Sequence, residues 1–135
     1  MLKVNMQGNS RLAKQYRFHD AAMELVGKLE NQERVHLVRM YVSNPNGRTD
    51  ALGRVLENLN AKPEPGTYGR LGALASYLGV SYGRLPCNLR NAIQDLAVTN
   101  DTITDVNERR TEIARDLRVL ARAVKNARIG KYTLY

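Results

Sequence analysis

The sequence predicts an all-α protein, a compact bundle of about five helices. Apolar residues recur at three- and four-residue spacing over long stretches, most clearly from Leu12 to Leu29 and from Ile113 to Val124. Two breaks separate such runs, Ser43-Asn44-Pro45-Asn46-Gly47 and the stretch from Asn60 to Gly66 with Pro63 and Pro65. The apolar 43% of the 135 residues includes one Phe, seven Tyr and no Trp, so the core must be mainly aliphatic. One domain over 1–135 is expected at this length. It divides into a mobile arm (1–10), an N-terminal helical layer (11–65), a central unit (66–100) and a basic C-terminal helix with its tail (101–135).

In chain order, Gly8-Asn9-Ser10 leads into the first helix. Phe18, Ala22, Leu25 and Leu29 form one apolar stripe of it, and Leu12, Tyr16, Met23 and Val26 an adjoining one. Arg17, Asp20, Glu24 and Lys28 share the opposite side, with Glu24 and Lys28 ordered for an i,i+4 pair. His19 borders the apolar face as a packed or half-exposed side chain. Asn31 is suited to cap a second helix from Gln32 to Val42, with Val35, Val38 and Tyr41 at helical spacing, although that run would also suit a strand. Thr49 is expected to cap a helix reaching Leu59, with Leu52, Val55, Leu56 and Leu59 on its buried side. The next helix runs from Tyr68 to Leu78, where Gly69 and Gly72 each cost about 1 kcal/mol relative to Ala. After Pro86, Leu89, Ala92, Ile93 and Leu96 face inward, leaving Arg90, Asn91 and Gln94 on the outer arc. A last helix extends from Asp105 to about Arg128 and ends before Gly130. Ile113, Leu117, Leu120 and Val124 make its single narrow stripe, between a basic flank and the acids Glu108, Glu112 and Asp116.

The central unit carries the most specific local pattern. Leu74-Ala75-Ser76-Tyr77-Leu78-Gly79-Val80-Ser81 reads as a helix end, a glycine turn and the start of a second helix, with Leu85 and Leu89 placed to pack back on the first. Over about twenty residues, carried by Ala75, Gly79, Val80-Ser81, Leu85 and Leu89, this resembles the helix-turn-helix of DNA-binding regulators. The resemblance implies a second helix able to enter a major groove. Pro86 bears on where that helix begins. A start at Ser81 puts proline one turn inside the helix, where it clashes with the carbonyl four residues back. A start at Pro86 is favourable for proline but lengthens the turn. The unit also echoes itself, Thr67-Tyr68-Gly69-Arg70-Leu71 recurring as Ser81-Tyr82-Gly83-Arg84-Leu85.

Charge points to a polyanionic partner. The formal net charge is +8, from 21 Lys and Arg against 13 Asp and Glu. Residues 1–19 and 117–135 contain no acid, while acids gather between Asp95 and Asp116. DNA is the favoured partner and RNA the alternative. Tyr68, Arg70, Tyr82 and Arg84 are candidate central contacts, the tyrosines for stacking and the arginines for phosphates or guanine edges. Arg90, Asn91 and Gln94 are candidate base readers, and Arg118, Arg122, Lys125 and Arg128, with Arg110 beside them on the basic flank, would track the backbone. A different class of reading is an assembly module, a homodimer or a protein partner engaging the stripe Ile113, Leu117, Leu120 and Val124.

Catalysis is not expected. His19 and His36 have no local partner in a recognised spacing, and Gly66, Gly69 and Gly72 are not followed by nucleotide-site chemistry. No metal or other cofactor is implied, and the one cysteine, Cys87, is expected as a small buried hydrophobe. That cysteine has no disulfide partner within the chain, and no apolar run approaches a membrane span or a signal peptide's apolar region. A cytoplasmic or other intracellular setting is therefore expected, the nucleoid or nucleus if DNA is the target.

Overall fold

The computed structural model describes residues 10–38, 49–61 and 69–129. Among these are five α-helices: α1 (Arg11–Glu30), α2 (Ala51–Asn58), α3 (Gly69–Leu78), α4 (Cys87–Thr102) and α5 (Val106–Asn126). A short 3-10 turn, Tyr82–Arg84, precedes α4. No strand occurs among the described residues, so the all-α expectation holds.

The helices start and stop for local chemical reasons. Ser10 Oγ accepts from Ala13 N at 3.1 Å, Asp50 Oδ1 from Gly53 N at 2.8 Å, and Asp105 Oδ1 from Glu108 N at 2.8 Å. Each side chain satisfies a first-turn N–H that the helix itself leaves unpaired. Asp50, not Thr49, is thus the cap of α2. Three helices end in left-handed residues: Gln32 after α1, Asn60 after α2 and Gly79 after α3, with φ of 61°, 56° and 73°. In each case the next N–H reaches back across the turn, Glu33 N to Lys28 O, Ala61 N to Leu56 O, and Val80 N to Ala75 O. This is the Schellman closure.

The first of those stops corrects the second predicted helix. Asn31 closes α1 instead of opening a new helix, and residues 33–38 run without helical or strand structure. Residues 39–42, the rest of that prediction, lie outside the described residues, as does the arm before Ser10. The stretch is held as a strap by arginines from other elements. Arg110 donates to Glu33 O at 2.6 Å, Arg54 to His36 O at 2.9 Å, and Arg109 to Leu37 O and Val38 O at 3.1 and 3.2 Å. Side-chain donors replace the ladder bonds that a helix or strand would have supplied.

The core is one aliphatic cluster. Phe18, Leu25 and Leu29 of α1 meet Leu52 and Leu56 of α2, Leu74 and Leu78 of α3, Leu89, Ile93 and Leu96 of α4, and the α5 stripe. α5 lies at the centre, packed against α1 on one side and α4 on the other. Ile113, Leu117, Leu120 and Val124 are therefore all buried within this chain. The stripe expected as a docking seam is thus part of the chain's own core. Leu117→Ala is expected to destabilise by about 2–5 kcal/mol, measured by denaturant unfolding. Leu12, assigned to an apolar stripe, is 47% exposed.

Gly53 marks the closest approach. A Cβ there would stand 1.7 Å from Thr49 Oγ1, against a threonine that is itself buried. Gly53→Ala is expected to cost about 1–3 kcal/mol by forcing the α2 N-terminus apart, against the stabilisation that alanine gives most helices. A lowered thermal midpoint would register it. Among the described residues no helix is long and apolar enough to cross a membrane.

Candidate nucleic-acid interface

Helix directions decide what stands beside what. α4 and α5 form an antiparallel hairpin closed by the turn at residues 103–105. Thr99 Oγ1 donates to the Asp116 carboxylate, and Arg109 Nε donates to Asn100 O at 2.9 Å. With a rise of ~1.5 Å per residue in both helices, the N-terminus of α4 lies beside the C-terminal turns of α5. α1 is antiparallel to α5 as well. Gln15 Nε2 donates to Val124 O and Ala127 O at 2.8 and 2.9 Å, whereas Arg110 at the other end bonds Leu29 O at 3.2 Å. α3 ends at the same pole, because Tyr77 Oη donates to Lys14 O at 3.3 Å.

One end of the bundle thus gathers the start of α1, the end of α3, the 3-10 turn, the start of α4 and the end of α5. Residues 10–17, 76–94 and 117–129 contain no Asp or Glu. The same segments supply Arg11, Lys14, Arg17, Arg84, Arg90, Arg122, Lys125 and Arg128. Acids collect at the opposite pole, among them Glu30, Glu33, Asp50, Asp101, Asp105 and Glu108. Three cations at the basic pole stand against tyrosine rings. Lys14 Nζ stands 5.8 Å from the Tyr77 centroid, Lys125 Nζ 5.8 Å from Tyr16, and the Arg90 guanidinium 5.0 Å from Tyr82.

The sequence-selected residues divide between the poles. Tyr82, Arg84, Asn91, Gln94, Arg122, Lys125 and Arg128 are exposed at or near the basic pole. Tyr68 lies outside the described residues. Arg70 is at the far pole and bridges Asp50 and Asp101, bonding the latter at 2.7 Å. It is a strut between α3, the α2 cap and the end of α4. Burial pushes the Asp50 carboxyl up, opposed by the Gly53 N–H and by Arg70. Loss of solvent works against the Arg70 charge, yet the two aspartates outweigh it and hold the guanidinium above its ordinary value.

Arg118 is likewise committed. Its two Nη atoms meet the Glu30 carboxylate at 2.9 and 3.0 Å, a bidentate pair. The hydrogen bond to Arg118 is the main cause that lowers the Glu30 pKa. Arg110, placed by sequence on the basic flank of α5, instead closes the C-terminal carbonyls of α1. Arg90 is turned back on the chain, with Nε to Leu85 O at 3.0 Å and Nη2 to Tyr82 O at 2.7 Å.

The start of α4 resolves the Pro86 alternatives. Pro86 stands at the cap position and α4 begins at Cys87, so residues 79–86 separate α3 from α4. That connection is longer than the three or four residues of a tight helix-turn-helix. α4 packs chiefly on α5, not on α3. Cys87, expected to be buried, is exposed in the first turn of α4. Asn88, one turn before Asn91 on the same face, is also exposed and was missed. Its spacing from Asn91 and Gln94 was the available signal. Comparison with protein families, curated proteins and solved structures found no match to this chain.

Proposed function

We propose that this protein binds nucleic acid through its acid-free pole, most directly as a DNA-binding regulator that sets the N-terminal half of α4 against a duplex. The observation that carries the reading is the convergence of cations from α1, the 3-10 turn and α5 at one end, in segments that contain no acid, while Glu30, Glu33, Asp50, Asp101, Asp105 and Glu108 stand toward the other. A separation of this kind directs a polyanion to a single surface and orients it on approach. Arg84, Arg122, Lys125 and Arg128 are the backbone contacts. The first turn of α4 adds N–H donors, since Pro86 offers no side-chain cap and phosphate oxygens suit such a terminus. Asn91 and Gln94 project from the exposed face of α4 and have the amide chemistry that pairs with adenine edges. RNA is the second reading, supported by Tyr82, a half-exposed residue whose ring face opposite Arg90 can stack on an unpaired base.

Binding of the purified protein to labelled duplex DNA, single-stranded DNA and RNA across a salt series tests the proposal. Duplex binding whose logarithm falls steeply with the logarithm of salt is the expected result. A clear preference for RNA would select the second reading. Weak binding to all three that disappears near physiological salt would overturn both.

A further inference from the structure

We infer that Arg90 does not read bases but positions the turn before α4, and that base reading passes to the carboxamides Asn88, Asn91 and Gln94. The inference rests on the proposed DNA reading and specifies its ligand as a duplex presenting adenines in the major groove.

Sequence alone made Arg90 the guanine reader, because a guanidinium can place two parallel N–H groups on O6 and N7. In the fold its Nε and one Nη are hydrogen-bonded to the carbonyls of Leu85 and Tyr82, and its Cζ stands 5.0 Å from the Tyr82 ring centroid. Reaching a base would require giving up these contacts together. Besides these contacts the turn has its own backbone bonds, Arg84 N to Ser81 O at 2.9 Å and Leu85 N to Tyr82 O at 3.4 Å. Tyr82, Gly83 and Arg84 are exposed, and Ser81 makes no side-chain capping bond. A Cβ built on Gly83 meets nothing within 4 Å, and Leu85 is the point where the segment enters the core. Arg90 therefore spans from the first turns of α4 to residues five and eight positions earlier, fixing Arg84 and the Tyr82 ring beside the helix start.

With Arg90 occupied, the exposed α4 face offers one carboxamide per turn at 88, 91 and 94. Asn and Gln pair in bidentate fashion with adenine N6 and N7. The face is thus matched to adenine edges, while guanine finds no free guanidinium fork on α4.

The test measures affinity and base ranking together, using a panel of duplexes with each base varied at the central positions. Wild-type protein is expected to rank adenine-bearing duplexes highest. Asn91→Ala should reduce that preference about tenfold while keeping non-specific binding. Arg90→Gln should weaken binding to every duplex by a common factor, on the order of tenfold, with the ranking unchanged. Arg90→Lys keeps the charge but not the planar fork, and should weaken binding almost as much. Both Arg90 variants should also make Tyr82 more reactive to a tyrosine-nitrating reagent, with the thermal midpoint close to wild type. A changed ranking in either Arg90 variant, especially a lost guanine preference, would overturn the inference. Full rescue by Arg90→Lys would also overturn it, since charge alone would then suffice. Absence of salt-dependent duplex binding by the wild type would overturn the DNA reading itself, before any variant is compared.

Discussion

Arg70→Met is expected to lower the unfolding free energy by about 3–5 kcal/mol, a large part of what a domain of this size has. The reason is the group left behind. Asp50 is 1% exposed, and its remaining support is the N–H of Gly53, which it caps. Removing Arg70 strands a carboxylate away from water, at the joint where α2, α3 and α4 meet. Asp101 suffers less, since it is partly exposed and retains the Asn100 amide at 3.0 Å. The double variant Asp50→Asn with Arg70→Met should recover much of the loss, because asparagine still caps a helix and carries no charge. Urea unfolding of the four proteins in the cycle measures this, and equal losses in the single and double variants would refute it. Arg70→Met protein kept folded at low temperature should bind DNA as wild type does, since this strut stands at the pole remote from the proposed interface.

Replacing Arg122, Lys125 and Arg128 together by glutamine should have the reverse profile. Stability should change by less than about 0.5 kcal/mol per site, as these side chains are exposed. Duplex affinity should fall roughly a hundredfold near physiological salt, and the slope of log K against log salt should shrink by ~2.7 if each residue neutralises one phosphate. The comparison that decides the matter is with Arg34, an exposed cation outside the gathered pole. Arg34→Gln should leave the slope nearly unchanged. A loss as large from Arg34 as from the C-terminal cations would mean that net charge, not the pole, drives binding.

Elements with long regular periodicity were readable before folding. α1 and α5 begin and end within a residue or two of their expected bounds, because a long apolar periodicity sets their extent and the Ser10 hydroxyl and Asp105 carboxylate cap their starts. The inward set Leu89, Ala92, Ile93 and Leu96 is buried as expected. The segment after Asn31 was not readable. Its valines suit helix or strand equally, and what settles it is a left-handed Gln32 together with three arginines that arrive from other elements. Arginine was the main source of misassignment in the candidate site. From the sequence Arg70, Arg110 and Arg118 look like phosphate or guanine contacts and Arg90 like a base reader, but each finds a carboxylate or a set of carbonyls inside its own chain. A guanidinium with five donors satisfies internal acceptors as readily as external ones, so its type alone does not reveal its task.

What the sequence by itself determined about this protein is its helical character, its aliphatic core, the capped ends of its longest helices and the size of its positive charge. These depend on local periodicity, on cap chemistry and on a count of residues, all independent of how the helices are arranged. Only the tertiary structure decided that the acid-free segments share one end of the bundle, that the α5 stripe faces inward, and which arginines remain exposed. Those outcomes follow from the antiparallel directions of α1 and α4 against α5, which bring residues more than a hundred positions apart into contact, as Gln15 is with Val124.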